Sequence, residues 1–119
     1  MPQTLFITGA STGLGHAAAR LFSERGWTVF ATMRDPSKAA DLAALPGVTL
    51  LALDVTQPAQ ITAAAEAALA QGPVDVVFNN AGYGLAGPLE GITDAQLTAQ
   101  LDTNLLGVMR TTKAFIPAF

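Results

Sequence analysis

A glycine-rich segment near the amino terminus has the composition of a phosphate-binding loop. Residues 8–15 read Thr-Gly-Ala-Ser-Thr-Gly-Leu-Gly and lie between the apolar run Thr4–Ile7 and a segment with helical periodicity. A strand, a glycine loop and a helix in that order direct free N–H groups and the positive end of the helix dipole toward an anion. The loop therefore predicts a pocket for the phosphates of a nucleotide, although an ordinary strand-to-helix turn can also carry several glycines.

Each glycine of this loop has a predicted task. Gly9 can leave the strand in a sharp turn because glycine tolerates positive φ. Gly13 keeps side chains away from a pyrophosphate, and Gly15 allows close packing of the helix on the sheet. The hydroxyls of Ser11 and Thr12 could donate to phosphate or simply cap the loop. The predicted phosphate-binding residues are Gly9, Ser11, Thr12, Gly13, Leu14 and Gly15.

The composition restricts the class of protein. The chain has 119 residues, of which 50% are hydrophobic and 13% charged, so it is long enough for one domain with a core. A net charge of −3 does not favour a nucleic-acid partner or an acidic membrane surface. The absence of cysteine and the single histidine, His16, exclude thiol chemistry and a histidine cluster, so no metal site is predicted. Because no signal peptide or membrane-spanning run is evident, we expect a cytoplasmic protein.

Apolar runs and helical patterns alternate along the chain. Strands are predicted over Thr4–Ile7, Thr28–Met33, Val48–Leu53 and Val74–Phe78. The intervening helical segments are 14–22, ended by Gly26, a short alanine-rich helix over Pro36–Leu45, and 61–69. Thr93 and Gln96 form a capping box that begins a last helix. The apolar stripe of that helix comprises Leu97, Leu101, Leu105, Val108 and Met109.

Strands joined by helices predict an α/β fold of the Rossmann type. Nearly continuous apolar strands indicate a parallel sheet that is covered by helices on both faces. Right-handed crossovers make this sheet doubly wound, with the ligand at the carboxyl ends of the strands. The four strands deliver Gly9, Arg34, Asp54 and Asn80 to that edge. We therefore expect these four loops to surround one crevice.

Several motifs together resemble the short-chain dehydrogenase/reductase family. They are the glycine segment at residues 8–15, the pair Asp54-Val55, the run Asn-Asn-Ala-Gly at 79–82, and Asn104 in the following helix. The resemblance covers the whole chain, and four motifs in the correct order are more specific than any one of them. It implies the strand order 3-2-1-4. Residues 80–85 and 87–90 resemble the hydroxysteroid and retinol dehydrogenase-like branch.

The resemblance implies roles for the residues that follow the third and fourth strands. Asp54 and Val55 are expected at the adenine; the alternative for Asp54 is a cap of the turn at residues 56–58. Asn residues also form turns readily, which is the simpler explanation for the run at 79–82. In the family this run braces the sheet and lines the cofactor ribose, so the expected binding residues are Asn79, Asn80, Ala81 and Gly82.

The end of the second strand bears on the choice of cofactor. Met33 stands where relatives that prefer NAD carry Asp, and the guanidinium of Arg34 suits the 2′-phosphate of NADP. Arg34 could instead be a solvated residue that pairs with Asp35. Asp35 also keeps NAD possible, and Thr12 stands where many NADP-binding relatives carry a basic residue. We predict NADP, with NAD as the alternative.

Asn104 is the single candidate catalytic residue. It falls within the apolar stripe of the last helix, where a buried amide would require hydrogen-bond partners. It could be a satisfied core amide that ties the helix to the sheet. The resemblance implies that this position holds a water of the proton relay in an intact enzyme.

The acid–base residues of the family have no counterpart here. The family places its Ser and Tyr-x-x-x-Lys beyond the fourth strand, and the only tyrosine of this chain, Tyr83, has Gly87 four residues later. We therefore expect residues 1–119 to be the dinucleotide-binding part of an oxidoreductase that acts on an alcohol or carbonyl substrate, inactive alone and homo-oligomeric if intact. The alternatives are a non-catalytic dinucleotide-binding module and a fold that binds S-adenosylmethionine.

Overall fold

The protein consists of a four-stranded parallel sheet with helices on both faces. The computed structural model describes residues 2–119. Strands β1 to β4 span Thr4–Ile7, Thr28–Met33, Val48–Ala52 and Val76–Phe78. Helices α1 to α5 span Gly13–Glu24, Ala40–Ala43, Pro58–Leu69, Asp94–Leu101 and Gly107–Phe115. Short 3₁₀ turns occupy Pro36–Ala39, Leu89–Gly91 and Ile116–Ala118, and a π-helical turn occupies Asp102–Leu106.

The strand order is β3-β2-β1-β4, which confirms the predicted order. All neighbouring strands pair in parallel, with Thr4 opposite Thr28, Leu5 opposite Val76 and Val29 opposite Val48. The direction of winding reverses between β1 and β4, because the chain adds strands on one side of β1 and then crosses to the other. That reversal is the topological switch point, where doubly wound proteins open a crevice.

Alternating side chains of the strands fill two separate cores. Phe6 and Phe30 point to the face covered by α3 and α5, where the Phe6 and Phe115 rings lie 4.7 Å apart between their centroids. Leu5 and Val29 point to the opposite face, against α1 and α2. The period of two along each strand is what places consecutive residues on opposite faces.

The strand predictions are correct in number and order but differ at their ends. β3 ends at Ala52, one residue earlier than predicted, although the Leu53 N–H still donates to the Met33 carbonyl at 2.8 Å. β4 begins at Val76, two residues later than predicted. The apolar run of β3 is typical of a buried strand, but β3 lies at the edge of the sheet, where Thr49 and Ala52 are exposed.

Two helical predictions also require correction. The segment Pro36–Leu45 contains a 3₁₀ turn and the four-residue α2, because Asp35 caps a tight turn that begins with Pro36. The last helix is interrupted by the π-helical turn, at whose end the Gly107 N–H donates to the Asp102 carbonyl.

The capping box is confirmed, since Gln96 N donates to Thr93 Oγ1 at 3.1 Å and Thr93 N donates to Gln96 Oε1 at 2.9 Å.

Candidate nucleotide-binding cleft

One cleft of about 810 Å³ opens at the carboxyl edge of the sheet. The loops that follow all four strands contribute to it, as expected from the polar residues at the strand ends. Its wall is completed by Ala99 and Thr103, which come from α4 and the π-helical turn. The other lining residues, at the strand ends and in the segments that follow them, are Gly9, Ser11, Thr12, Leu14, Met33, Arg34, Leu53, Asp54, Val55, Thr56, Asn80, Ala81, Gly82 and Tyr83.

The glycine loop turns as the sequence predicts. Gly9 and Gly13 have φ values of 66° and 60°, which residues with a side chain rarely adopt. A methyl group on Gly13 would meet no atom of the described residues within 4 Å, so the backbone there faces open space. A methyl group on Gly15 would collide with the Gly9 carbonyl and the Asn80 side chain, which shows how closely α1 approaches the loop.

The amino end of α1 retains free hydrogen-bond donors. Thr12 occupies the N-cap position, but its side chain makes no capping hydrogen bond with any residue from 2 to 119. The first turn also carries no acidic residue that could neutralise the helix dipole. Helix N-terminal N–H groups without a side-chain partner, together with the positive end of the dipole, suit an anion.

A buried threonine joins the glycine loop to the end of β4. The hydroxyl oxygen of Thr8, whose residue is 1% exposed, accepts from Asn80 N at 3.1 Å and from Ala81 N at 3.0 Å. The Asn80 amide in turn donates to the Gly9 carbonyl at 3.0 Å. No separate role for Thr8 can be predicted from the sequence, because only the tertiary contact between β1 and β4 brings these N–H groups to its hydroxyl.

A second threonine fixes the other side of the loop. Thr32 is fully buried, and its hydroxyl donates to the Ile7 carbonyl at 3.0 Å. Its own carbonyl accepts from Ala10 N at 3.0 Å. The loop is therefore held from both neighbouring strands before any ligand is considered.

Asp54 forms the local turn that was considered for it and also lines the cleft. Its Oδ1 accepts from Thr56 Oγ1 at 2.7 Å and from Thr56 N at 2.9 Å. These two hydrogen bonds, with a smaller contribution from the charge of Arg34, lower the pKa of Asp54 below its ordinary value, and partial burial opposes them. The carboxylate is thus ionised at neutral pH.

Arg34 and Asp35 have different surroundings although they are adjacent. Arg34 lines the cleft, while the salt bridges within residues 2–119 engage Arg20 and Arg110, and Asp41 contacts the imidazole of His16. Asp35 instead caps the following 3₁₀ turn, accepting from Ser37 Oγ at 2.7 Å and from Ser37 N at 3.1 Å. These hydrogen bonds lower the pKa of Asp35.

Asn79 and Asn104 differ in position from the other predicted site residues. Asn79 does not line the cleft; its amide donates to Thr112 Oγ1 at 3.1 Å and so ties β4 to α5. The expectation that Asn104 is buried is wrong, because it is exposed. Its side-chain amide nevertheless pairs with the backbone of Tyr83. Oδ1 accepts from Tyr83 N at 3.0 Å, and Nδ2 donates to the Tyr83 carbonyl at 2.6 Å.

The structure brings ten of the predicted site residues to the cleft wall. Four predicted residues are not part of the lining. They are Gly13 and Gly15, which shape the backbone of the glycine loop, and Asn79 and Asn104, which form hydrogen bonds next to the cleft. Six lining residues were not predicted from the sequence, although Thr56 could have been found as the partner of the predicted Asp54 turn. The six are Met33, Leu53, Thr56, Tyr83, Ala99 and Thr103.

His16 lies on α1 but takes part in a contact between helices. Its Nε2 is 2.7 Å from Asp41 Oδ2 on α2, and this hydrogen bond lowers the pKa of Asp41. Within residues 2–119, no group of three or more potential metal-ligating side chains comes together. No helix in that part of the chain is long and apolar enough to cross a membrane.

The fold and the cleft define a class of protein. A doubly wound sheet with a glycine loop, an uncapped helix end and a crevice at the switch point is typical of α/β proteins that bind nucleotides. The chain also matches the family model described as short chain dehydrogenase over residues 3–119. It therefore belongs to the short-chain dehydrogenase family, as the motifs predicted.

Curated relatives agree with this assignment and are longer than the chain. A 3-ketodihydrosphingosine reductase from Bacteroides thetaiotaomicron is 39% identical over 98% of this chain and 42% of its own length. A 17-beta-hydroxysteroid dehydrogenase type 1 from Mus musculus is 41% identical over 98% of this chain and 37% of its own. Human retinol dehydrogenase 8 is 38% identical, with coverages of 98% and 40%. The chain thus spans about two fifths of the length of these relatives.

Solved structures show the same fold. A 3-ketoacyl-(acyl-carrier-protein) reductase from Brucella melitensis, complexed with NADH, is 29% identical and gives a TM-score of 0.91 over 98% of this chain and 50% of its own. An actinorhodin polyketide ketoreductase with NADPH is 31% identical and gives a TM-score of 0.90 over 98% and 47%.

Proposed function

We propose that this chain is the cofactor-binding part of an NADP(H)-dependent short-chain oxidoreductase that acts on an alcohol or carbonyl group. The observation that carries the proposal is the cleft at the switch point, which combines the free amino end of α1 with Arg34 and Asp54. The bound NADH and NADPH of the two similar structures support a nicotinamide cofactor. When bound, such a cofactor supplies or accepts a hydride.

The pyrophosphate is assigned to the glycine loop. Gly13 presents backbone to open space, and the first N–H groups of α1 have no side-chain cap among residues 2–119. Ser11 and Thr12 line the cleft and can add hydroxyl donors. Thr8 and Thr32 hold the loop in this shape, so little rearrangement is needed when an anion binds.

The adenosine end is assigned to the loops after β2 and β3. Asp54 uses Oδ1 for the Thr56 turn, which leaves Oδ2 as an acceptor for the exocyclic amine of adenine. Arg34 can bind a 2′-phosphate in the bidentate manner of a guanidinium. Arg34 lines the cleft and Asp35 does not, which favours NADP over NAD.

The remaining cofactor contacts are assigned to the loop after β4. Asn80, Ala81 and Gly82 line the cleft there, and Asn104 holds the adjacent Tyr83 backbone in place. We assign Asn104 the relay position of the intact protein. Because no tyrosine of this chain is followed four residues later by lysine, we expect the chain alone to bind cofactor without turnover.

Isothermal titration of the chain with NADPH, NADH and S-adenosylmethionine tests this proposal. We expect NADPH to bind more tightly than NADH, since only NADPH carries the 2′-phosphate. Arg34→Ala should weaken NADPH binding by about tenfold or more and leave NADH binding nearly unchanged, because it removes a charge-assisted hydrogen bond.

Arg25→Ala is the matched control, because Arg25 is an exposed arginine at the opposite end of α1. Tighter binding of S-adenosylmethionine than of NADPH would contradict the proposal. Equal losses of NADPH and NADH affinity in Arg34→Ala would contradict the preference for NADP while leaving nicotinamide binding in place.

A further inference from the structure

Gly107 lies at the junction of the π-helical turn and α5, where a larger residue does not fit. Gly107 is buried, and α5 begins at it. Because glycine is a poor helix former, its presence here needs another explanation. A methyl group on Gly107 would lie 2.8 Å from Val55 Cγ2 and 3.0 Å from Val55 Cβ. It would also lie 3.3 Å from the Asp102 carbonyl oxygen, so the helix itself restricts any shift.

The neighbour that Gly107 accommodates belongs to the cleft wall. Val55 is 7% exposed, lines the cleft and follows Asp54 in the loop after β3. Its side chain is branched at Cβ, so few rotamers are available to it. The backbone around it is also restrained, because Asp54 and Thr56 are joined by two hydrogen bonds. Val55 therefore cannot yield without a movement of the Asp54 turn.

We propose that Gly107 is a positioning residue for the adenosine end of the cleft. By lacking a side chain, it lets α5 approach Val55 and so sets the position of Val55 and of the neighbouring Asp54 carboxylate. This inference rests on the proposed function, because the cleft has an adenosine end only if it binds a dinucleotide. It also explains how the interrupted last helix, which contributes few residues to the lining, shapes the cleft.

The test is Gly107→Ala in the whole chain, titrated with adenosine 2′,5′-bisphosphate and with inorganic pyrophosphate. Adenosine 2′,5′-bisphosphate carries the adenine, whereas pyrophosphate probes the glycine loop alone. We expect Gly107→Ala to weaken binding of adenosine 2′,5′-bisphosphate by about tenfold, since overpacking of this kind displaces side chains. Binding of pyrophosphate should stay the same. A general loss of structure would weaken the binding of both ligands.

Gly91→Ala is the matched control, because among residues 2–119 a methyl group there would meet only Pro88 Cγ, at an ordinary 3.5 Å. It should bind both ligands like the unsubstituted chain. The double variant Val55→Ala with Gly107→Ala should bind adenosine 2′,5′-bisphosphate more tightly than the sum of the two single losses predicts. The reason is that Val55→Ala removes the Cγ2 atom that the added methyl group would contact. If Gly107→Ala alone does not fold, the double variant should still fold, as followed by circular dichroism.

The outcomes separate the two hypotheses. Failure of the unsubstituted chain to bind adenosine 2′,5′-bisphosphate or NADPH would contradict the proposed function and, with it, the role of Gly107. Binding by the unsubstituted chain with equal affinity in Gly107→Ala would overturn the role of Gly107 alone. The same holds if the two ligands lose affinity equally, or if the double variant shows no coupling between Val55 and Gly107.

Discussion

Single residues of this cleft combine a structural task with a position on the cleft wall. Asp54 was open to two interpretations from the sequence, a turn cap or an adenine contact, and the structure shows that one does not exclude the other. Oδ1 accepts both hydrogen bonds from Thr56, while the residue still lines the cleft. A carboxylate has two oxygens with several lone pairs, so it can serve its own backbone and a ligand together.

The pKa of Asp54 provides a test at this scale. Thr56→Val removes the hydroxyl donor that contributes most to lowering that pKa, so we expect the pKa to rise toward its ordinary value. A carboxylate with a lowered pKa stabilises the folded state above its unfolded-state pKa, and that contribution is lost as the pH falls through the folded-state value. In Thr56→Val this contribution should therefore be smaller, and its loss should be complete at a higher pH, because only the folded-state pKa rises.

Carboxyl NMR titration of the Asp54 side chain measures this change. Thr62→Val is the control, because the Thr62 hydroxyl donates to the Pro58 carbonyl within α3 and does not contact Asp54. A titration midpoint for Asp54 that is the same in Thr56→Val and in the unsubstituted chain would show that the Thr56 hydroxyl does not stabilise the charge.

Between elements, the decisive contacts are those that join consecutive loops at the carboxyl edge. Thr8 connects β1 to the residues after β4, Thr32 connects β2 to β1, and Asn104 connects the π-helical turn to the loop at Tyr83. The side chain of Asn104 is exposed but fully engaged with the Tyr83 backbone. These hydrogen bonds hold the loops in place, so the protein itself sets the shape of the cleft.

Thr8→Val should reveal the contribution of one such contact. Valine has the shape of threonine without the hydroxyl, so the N–H groups of Asn80 and Ala81 lose their acceptor. We expect the free energy of unfolding to fall by about 1–3 kcal/mol, the usual cost of leaving buried donors unsatisfied. Unfolding in urea measures this difference in the free energy of unfolding. Thr8→Ser, which keeps the oxygen, should remain close to the unsubstituted chain, and equal stability of the two variants would argue against the contact.

At the scale of the whole molecule, an apolar surface runs along α4, the π-helical turn and α5. Leu101, Leu105 and Met109 are 55%, 50% and 58% exposed, and they are members of the predicted stripe of the last helix. β4 is an open edge of the sheet, and its residues Val76 and Phe78 are partly exposed. Exposed apolar surface and an unpaired strand edge both favour association.

We therefore expect the chain to self-associate with increasing concentration. Leu105→Gln combined with Met109→Gln should reduce the association, because it removes apolar area without disturbing a buried core. Sedimentation velocity over a range of concentrations measures this. Leu21→Gln is the control, since Leu21 is 47% exposed on α1, a different helix. If both variants sediment like the unsubstituted chain, the surface along the last helix does not drive association.

The local patterns of the chain determined its class of fold and the position of its cleft. Short-range physics is sufficient for this: Gly9 and Gly13 take positive φ, apolar runs form strands, and right-handed crossovers bring the strand ends to one edge. Contacts between distant residues were decided only by the tertiary structure. The Thr8 hydroxyl, the exposure of Asn104 and the approach of Gly107 to Val55 depend on how separate elements pack, which no periodicity within one segment encodes.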